Sequence, residues 1–294
     1  MIVRPVDALP ERGTLGLVDS IVLRGGGCAL NTSSALAKLG MRAAVVGKVG
    51  ADAFGDFILR TLEERGVDAS GVIRDATTPT SASVALIDAS GERTFLHTTG
   101  ANATLTAGET REELFTGRAL HIAGALVLDE LDGEPTASLL SEARGRGIMT
   151  SVDTVFDARG RWDRVVTALP FCDLVTPGLP EARGITGEKE PARAARRLRE
   201  FGARVATVTL GADGCYVAGD SFEGHVAGFR VESLDGTGAG DAFAAAFLHS
   251  LLAGRPLEDC ARLANAAGGL ATTAVGAFEG VGDLAATERL AGLA

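Results

Sequence analysis

Cysteine, aromatic residues and metal-binding motifs are scarce in this sequence. Its 294 residues include four cysteines with no C-x-x-C pair and four histidines with no H-E-x-x-H spacing. Neither a zinc site nor a disulfide framework is therefore indicated, and reduced thiols are expected. Aromatic residues make up 5% of the chain, with one Tyr and one Trp, which argues against a pocket that stacks a nucleoside base.

Basic stretches and long apolar stretches are also missing. The formal net charge is −10 and the pI is about 5.0. No run of Lys or Arg offsets this charge, so nucleic acids and anionic membranes are poor candidates for partners. No apolar run approaches the roughly 18 residues of a membrane helix, and the N-terminus lacks the apolar core of a signal peptide. We therefore expect a soluble, cytoplasmic protein.

Short apolar runs alternate with amphipathic stretches from about residue 115 onward. This alternation indicates a doubly wound, mainly parallel sheet sandwiched by helices. With 46% apolar residues, residues 1–294 are long enough for a single α/β domain with a sizeable core. The pattern predicts strands at 119–123, 148–153, 172–176 and 204–210, and helices at 134–146, 192–201, 240–252 and 257–274.

One region departs from this alternation and reads as an antiparallel patch of short strands. Residues 16–23, just before a glycine triplet, are also strand-like. We expect a small β-sheet lid, formed by about 14–25 and 70–98, that closes over the main domain. An ordinary edge hairpin is the alternative. The patch comprises residues 70–74, 81–89 and 93–98, with Ser90 and Gly91 as a turn between the last two.

Residues 235–241 read Asp-Gly-Thr-Gly-Ala-Gly-Asp and run directly into an alanine-rich helix. Glycines let the backbone approach a ligand closely, and first-turn amides have no intrahelical partner, so they point at a bound anion. Asp241 beside an anion site makes sense as a base that takes the proton of a hydroxyl attacking a phosphoryl group. The alternative is an ordinary helix start, where an acidic residue favours the helix dipole by about 0.3–1 kcal/mol.

Two other glycine-rich motifs are excluded because the sequence does not match their patterns. A dinucleotide fingerprint reads G-x-G-x-x-G or A, whereas Asp241 stands at the third small position. A Walker A loop requires G-x-x-x-x-G-K followed by Ser or Thr, and the only Gly-Lys pair, Gly47-Lys48, is followed by Val49. The motif is therefore interpreted as a phosphate site that contains a base.

Several motifs, in order along the chain, resemble those of the ribokinase-like (PfkB) family of carbohydrate kinases. Residues 26–31, Gly-Gly-Cys-Ala-Leu-Asn, look like its first signature, and residues 235–241 match its second, D-x-T-G-A-G-D. The resemblance covers about residues 2–280 and implies a ribokinase-like α/β fold with a β lid. Further matching segments are residues 46–55, 100–103, 209–214 and 264–268.

This resemblance implies an ATP-dependent sugar kinase in which Asp241 is the general base. Gly238, Ala239 and Gly240 would form the anion hole for the transferring γ-phosphoryl group, together with the Asp241 amide. Asparagine suits sugar hydroxyls because it both donates and accepts without a charge to desolvate. The implied substrate-binding residues are Gly26, Gly27, Asn31 and Asp153.

The resemblance also implies ATP and Mg²⁺ as cofactors, with Mg²⁺ arriving on ATP and keeping several waters. Glu181 would contact the metal, and Asp235 and Thr237 would begin a candidate site for a monovalent cation such as K⁺. Sugar and ATP would be the small-molecule partners, and a homodimer would associate through the lid. The implied nucleotide-binding residues are Thr209, Gly211, Gly214 and Asn265, of which Asn265 would lie against the adenine.

Two positions depart from the family pattern. The family usually opens with a strand ending in G-x-x-x-x-D, whose aspartate binds substrate hydroxyls, and we expect that strand to precede Met1. A chain extended upstream should then be more stable and more active. Residues 177–181 read Pro-Gly-Leu-Pro-Glu, so Glu181 matches the family's N-x-x-E while Gly178 replaces the asparagine. This exchange should tune metal or phosphate affinity without abolishing it.

Several functions stay open at this point. The leading hypothesis is a kinase for a pentose, a hexose or a keto-deoxy sugar acid, with Arg159 or Arg161 either pairing with an acidic group of the substrate or serving the fold. A sugar-phosphate kinase similar to phosphofructokinase would need cations near Asn31, for which Arg24 and Lys38 are candidates. A nucleoside kinase and a catalytically impaired sugar-binding protein also stay open, although the intact Asp241 argues against an impaired protein.

Overall fold

A computed structural model describes residues 1–89, 93–109 and 112–294 of the chain. The turn predicted at Ser90 and Gly91 lies outside the described residues. The strands are β1 (Ile2–Arg4), β2 (Ser20–Val22), β3 (Ala44–Gly50), β4 (Asp68–Asp75), β5 (Ala82–Ile87), β6 (Arg93–Thr98), β7 (Ala119–Ala125), β8 (Met149–Thr154), β9 (Leu174–Val175), β10 (Val205–Thr209), β11 (Cys215–Ala218) and β12 (Glu223–Val226). The helices are α1 (Cys28–Lys38), α2 (Ala53–Glu64), α3 (Glu134–Gly145), α4 (Asp163–Val166), α5 (Leu179–Thr186), α6 (Pro191–Glu200), α7 (Ala239–Leu252), α8 (Leu257–Ala271) and α9 (Leu284–Ala291).

Six strands form the central sheet in the order β12-β11-β10-β9-β8-β7. Strands β7 to β10 run parallel, and β11 and β12 continue the sheet antiparallel. The neighbours Leu174 and Val175 in β9 point to opposite faces of the sheet, and both are fully buried, because helices cover both faces. The predicted doubly wound, mainly parallel sheet between helix layers is therefore confirmed.

Two apolar cores flank this sheet. One lies between the sheet and helices α1, α7, α8 and α9, and the other lies between the sheet and helices α3 to α6. Helix α7 is apolar on nearly all sides, with nine buried residues, as expected of a helix in the middle of a core. Its alanine-rich surface lets α8 pack closely against it, and this packing fixes the start of α7, where the second signature lies.

Four strands form a separate sheet in the order β2-β1-β5-β6. Strands β5 and β6 are antiparallel from Ala82↔Thr98 to Ile87↔Arg93, as predicted for residues 81–89 and 93–98. The strand predicted at 16–23 is shorter than expected and comprises only β2. Strand β1 joins this sheet as well, parallel to β5. Closure of this sheet over the main domain stays a prediction.

Strand β4 does not belong to this sheet, so the prediction that residues 70–74 join the antiparallel patch is wrong. It pairs in parallel with β3, from Ala44↔Asp68 to Gly50↔Asp75. The physical reason is helix α2, which lies between the two strands and is capped by Asp52, whose carboxylate accepts from the Gly55 amide at 2.8 Å. A strand, a helix and a second strand form a parallel crossover, whereas a short turn gives an antiparallel pair.

Strands β3 and β4 form a two-stranded sheet apart from the six-stranded one. The family strand expected upstream of Met1 stays a prediction. Within the described ranges, no helix is both long and apolar enough to cross a membrane.

Candidate active site

Helix α1 carries the residue predicted to bind sugar hydroxyls. The helix begins at Cys28 after Gly27, whose φ of +98° favours glycine. A methyl group at Gly26 or Gly27 would meet no atom within 4 Å, so the backbone there faces open space that a ligand can enter. One turn into the helix, Asn31 is 6% exposed, and its Nδ2 donates to Oδ2 of Asp241 at 2.8 Å. The fold thus joins two predicted site residues that lie 210 positions apart.

Asp241 lies in the first turn of α7 and is buried. Burial raises its pKa to about 6, because a charged carboxylate loses its hydration, while hydrogen bonds from Asn31 and Cys28 oppose this rise. Burial also raises the pKa of Asp153 well above its usual range, and the negative charge of Asp241 raises it further. Two neighbouring buried carboxylates with raised pKa values are typical of sites for proton transfer. Asp153, predicted as a substrate residue, therefore shares the electrostatic environment of Asp241.

Asp153 stands near the carboxyl end of β8, and its Oδ1 accepts from the hydroxyl of Thr176 at 3.2 Å. Thr176 directly follows β9, and Thr209 ends β10. These residues thus lie at one edge of the parallel strands, the edge at which ligands of doubly wound sheets bind. The structure brings Asn31, Asp153 and Asp241 together, and their roles toward a substrate stay predictions.

Cys28 is a site residue that sequence reasoning missed. Its thiol hydrogen-bonds to Asp241, and burial raises its pKa well above the usual range, so the sulfur keeps its proton and donates it. On the other side, a methyl group at Gly124 would lie 3.2 Å from the Cys28 Sγ. The signal was present in the sequence, because Cys28 lies three residues before Asn31 and residues at this spacing share one face of a helix.

The loop before α7 has the geometry of an anion site. Gly238 caps the helix with a φ of +78°, and a methyl group there would lie 2.4 Å from the Ala277 carbonyl oxygen. Any other residue would strain the backbone and clash. A methyl group at Gly240, in contrast, would meet no atom within 4 Å. The amides of Gly240 and Asp241 belong to the first helical turn and have no intrahelical acceptor, so they are available to an anion at the helix start. The Ala239 amide donates to the Gly236 carbonyl oxygen at 3.4 Å, a long hydrogen bond that an anion would have to replace.

Asp235 and Thr237 organise the loop in front of this helix. Oδ1 of Asp235 accepts from the Thr237 amide at 3.0 Å and from its hydroxyl at 2.7 Å. Oδ2 of Asp235 accepts from the Gly276 amide at 2.9 Å. The carboxylate therefore ties residues 235–238 to the segment that follows α8. Its oxygen atoms also suit a monovalent cation, and its role in binding one stays a prediction.

Glu181 lies in the first turn of α5, and burial raises the pKa of its carboxyl. Its Oε2 occupies the space beside Gly178, where a methyl group would lie only 2.5 Å away. This contact explains why Gly178 stands where the N-x-x-E pattern has asparagine. The Glu181 carboxylate occupies the space that a larger side chain at position 178 would need. A carboxylate with this environment suits a hard cation such as Mg²⁺.

A cavity of about 510 Å³ lies at the carboxyl end of β10, beside the start of α5. Thr209 and Gly211, both predicted nucleotide residues, line it together with Gly178 and Asp213. Gly214 and Asn265 are not among its lining residues. Gly214 is required by close backbone packing, because a methyl group there would lie 2.2 Å from the Val226 carbonyl oxygen.

The Asn265 side chain holds helix α8 against the end of β12. Its Nδ2 donates to the carbonyl oxygens of Val226 at 2.9 Å and Ala227 at 3.2 Å. Contact between Asn265 and an adenine stays a prediction. In the described part of the chain, no three His, Cys, Asp or Glu side chains are grouped to hold a metal ion. Glu181 and Asp235, predicted for two different cations, therefore do not belong to such a group, and their roles and that of Thr237 in binding cations stay predictions.

Comparison with known proteins shows which proteins the chain resembles. The model of the pfkB family carbohydrate kinases matches residues 1–281. Fructokinase-1 of Oryza sativa subsp. japonica is 30% identical over 93% of this chain and 90% of its own length. The 2-dehydro-3-deoxygluconokinase of Bacillus subtilis is 31% identical over 87% of this chain and 82% of its own length.

Solved structures also match. The fructokinase of Vibrio cholerae, in a form with bound fructose, ADP and calcium ion, is 26% identical, with a TM-score of 0.77 and 90% of each chain covered. The ribokinase of Thermotoga maritima is 23% identical, with a TM-score of 0.83 and with 98% of this chain and 94% of its own chain covered. The ribokinase-like fold expected from the sequence is thereby confirmed.

Proposed function

The chain belongs to the pfkB family of carbohydrate kinases, and from that premise we propose that it phosphorylates an uncharged, unphosphorylated sugar. It is an ATP-dependent sugar kinase, a phosphotransferase with an alcohol group as acceptor. The choice of an uncharged acceptor rests on the buried Asn31–Asp241 pair, with Asp153 beside it. These carboxylates would repel a negatively charged acceptor, because the buried site has little water to screen the charges.

The cations that would bind a charged acceptor have other partners. Lys38 donates to the Val281 carbonyl oxygen at 2.7 Å. Both carboxylate oxygens of Asp129 accept from Arg159 at 3.1 Å, and Arg161 pairs with Asp129 and with Asp157. These contacts favour the structural role of both arginines over the substrate role. The sugar-phosphate alternative then rests on Arg24, which contacts Glu279 at 3.7 Å in solvent-exposed surroundings.

Asp241 performs the proton transfer in this proposal. The acceptor hydroxyl oxygen forms a bond to the γ-phosphorus, the proton of that hydroxyl passes to Asp241, and the bond to the β-phosphate oxygen breaks so that ADP leaves. Asn31 and Cys28 orient the carboxylate for this step. The first-turn amides beside Gly238, Ala239 and Gly240 stabilise the charge that spreads over the phosphoryl oxygens.

Thr209 and Gly211, at the 510 Å³ cavity, would hold the nucleotide. Mg²⁺ carried by the nucleotide would neutralise phosphate charge, and Glu181 is the residue that would face it, directly or through water. Asp235 is the residue that would support K⁺ near the phosphate loop. These roles rest on the carboxylate chemistry of both residues, on the contact of Glu181 with Gly178 at the cavity, and on the place of Asp235 in the loop before α7.

A homodimer through the four-stranded sheet is part of the same proposal. Phe95 and Leu96 follow each other on β6 and so point to opposite faces, yet they are 54% and 62% exposed. Both faces of this sheet therefore expose apolar side chains, one for the acceptor site and one for a second copy. Sedimentation velocity tests this: Leu96→Ser with Phe95→Ser should dissociate the dimer, whereas Leu234→Ser, equally exposed elsewhere, should not. A monomeric wild-type protein would contradict the proposal.

A cytoplasmic location is proposed with it. Its four cysteines, all in described segments, are free thiols, and three of them are buried. Free thiols are typical of proteins in reducing compartments.

The function is tested by a coupled assay of ADP release with ATP and Mg²⁺. The acceptors are fructose, ribose, 2-dehydro-3-deoxygluconate, fructose 6-phosphate and adenosine, and Asp241→Asn is the control. We expect turnover with an uncharged sugar and a loss of about 10²–10⁴-fold in the variant. Faster turnover of the sugar acid or the sugar phosphate would show that the uncharged acceptor is wrong. A sugar that stabilises the fold without stimulating turnover would indicate a binding protein.

A further inference from the structure

The segment that follows α8, residues 272–281, supports the phosphate loop from behind. The Gly276 amide donates to Oδ2 of Asp235 at 2.9 Å. The Ala277 carbonyl oxygen lies so close to Gly238 that a methyl group there would be 2.4 Å away. The position of this segment therefore sets the position of the loop that leads into Asp241.

Phe278, the next residue, holds the segment in place through two cations. Lys38 Nζ lies 4.4 Å from the centre of the Phe278 ring, and the Arg65 guanidinium carbon lies 3.9 Å from it. A cation at this distance over an aromatic face is attracted by the electrons of the ring. Lys38 also donates to the carbonyl oxygen of Val281, three residues further on. One ring thus receives two positively charged side chains, and the negative charge of Glu279 near both offsets the repulsion between them.

The two cations come from the half of the molecule that holds the acceptor residues. Lys38 ends helix α1, the same helix that carries Cys28 and Asn31 at its beginning. Arg65 follows α2 and donates to the hydroxyl of Ser34 in α1 at 3.3 Å. The contact between the ring and these two side chains therefore joins the acceptor-binding helix to the segment behind the phosphate loop.

We propose that Phe278, held between Lys38 and Arg65, is a positioning residue that fixes the phosphate loop relative to helix α1. This inference rests on the proposed function, in which Asn31 and Asp241 meet at the acceptor. Simple packing does not require it to be aromatic, because an aliphatic side chain would also contact the partly buried core there. The aromatic face is needed to hold both cations at once.

The experiment compares Phe278→Leu, Phe278→Tyr and Phe278→Ala with Phe201→Ala. Phe201 is a matched control, because it is also half-buried and contacts a cation: the Arg197 guanidinium carbon lies 4.5 Å from its ring centre. Unlike Phe278, it belongs to the core on the opposite face of the sheet. Hydrogen–deuterium exchange at the Gly276 amide is measured without ligand. Steady-state kinetics use the sugar that turns over best in the acceptor panel.

We expect Phe278→Leu and Phe278→Ala to increase exchange at Gly276 and to lower kcat by about tenfold, with the KM for ATP changed less than twofold. Phe278→Tyr, which keeps the aromatic face, should restore both values to near the wild type. Phe201→Ala should lower the melting temperature without changing either value. If Phe278→Leu behaves like the wild type, or Phe201→Ala has the same effect on kcat, the proposal is wrong.

Failure of the proposed function is separable from failure of this inference. If no sugar is turned over by the wild-type protein, the proposed function fails, and exchange at Gly276 still compares the leucine and tyrosine variants. Unchanged exchange in Phe278→Leu would then overturn the positioning role by itself. If Phe278→Ala does not fold, the leucine and tyrosine variants provide the same comparison.

Discussion

The hydrogen bond from Asn31 to Asp241 makes a quantitative prediction about the pH dependence of catalysis. Asn31→Ala removes the Nδ2 donor that lies 2.8 Å from Oδ2 of the buried carboxylate. A hydrogen bond to a charged group contributes about 1.5–3 kcal/mol, and one pKa unit corresponds to 1.36 kcal/mol. The pKa of Asp241, about 6 in the intact protein, should therefore rise by about 1–2 units in the variant.

The assay is kcat/KM as a function of pH, measured by coupled ADP release between about pH 5 and pH 9. A general base must be ionised, so activity falls as the pH drops through the pKa of that base. The acidic limb of the wild-type profile should lie near pH 6. In Asn31→Ala it should move to about pH 7–8, in addition to any loss of sugar affinity.

Ser33→Ala is the matched control for this prediction. Ser33 lies in the same helix and is also buried, but its hydroxyl donates to the Leu30 carbonyl oxygen and not to Asp241. Its acidic limb should stay at the wild-type position. If Asn31→Ala lowers kcat/KM but leaves the limb near pH 6, Asn31 acts on the sugar alone and the reasoning about Asp241 is refuted.

Three further predictions concern the same site. The Asp241 pKa rises from 3.8 to about 6 on folding, so the ionised carboxylate destabilises the folded state by about 3 kcal/mol. Asp241→Asn should therefore increase the free energy of unfolding at pH 8 but not at pH 4, as measured by denaturant unfolding, and a loss at both pH values would contradict this. Gly238→Ala should unfold at a lower temperature because of its φ and its clash with Ala277. Gly240→Ala should be about 0.5–1 kcal/mol more stable than the wild type but less active, because its methyl group would enter the anion site. Equal melting temperatures of the Gly238→Ala and Gly240→Ala variants would refute this distinction between the two glycines. Glu181→Gln should raise the Mg²⁺ concentration for half-maximal activity about tenfold, and an unchanged Mg²⁺ titration would exclude this role.

The sequence predicts the central sheet well, because its strands and helices alternate with clear apolar periods. Strand β8 and helix α6 lie within a residue or two of their predicted ends. It predicts β4 as a strand but mispredicts its pairing, because the prediction does not include helix α2 with its Asp52 cap. Parallel or antiparallel pairing depends on that intervening element and not on the strand's own residues.

The candidate site is predicted in part. Asn31 and Asp241 could be predicted from two signatures, because an amide suits sugar hydroxyls and a carboxylate suits a general base whatever the rest of the fold. The role of Cys28 could be predicted only in part, because its spacing from Asn31 places both residues on one face of the helix, whereas the position of Asp241 beside that face depends on the tertiary fold. Likewise, the Asn265 amide looks available in the sequence, but the fold engages it with the Val226 and Ala227 carbonyl oxygens.

The distance along the chain between Asn31 and Asp241 also affects how the protein acquires activity. Their hydrogen bond closes a loop of 210 residues, and contacts of such long range form after local helices and hairpins. A chain that has folded only its first half has the donor in place but no base. During refolding, catalytic activity should therefore appear later than the helical signal, which makes turnover a reporter of the complete tertiary structure.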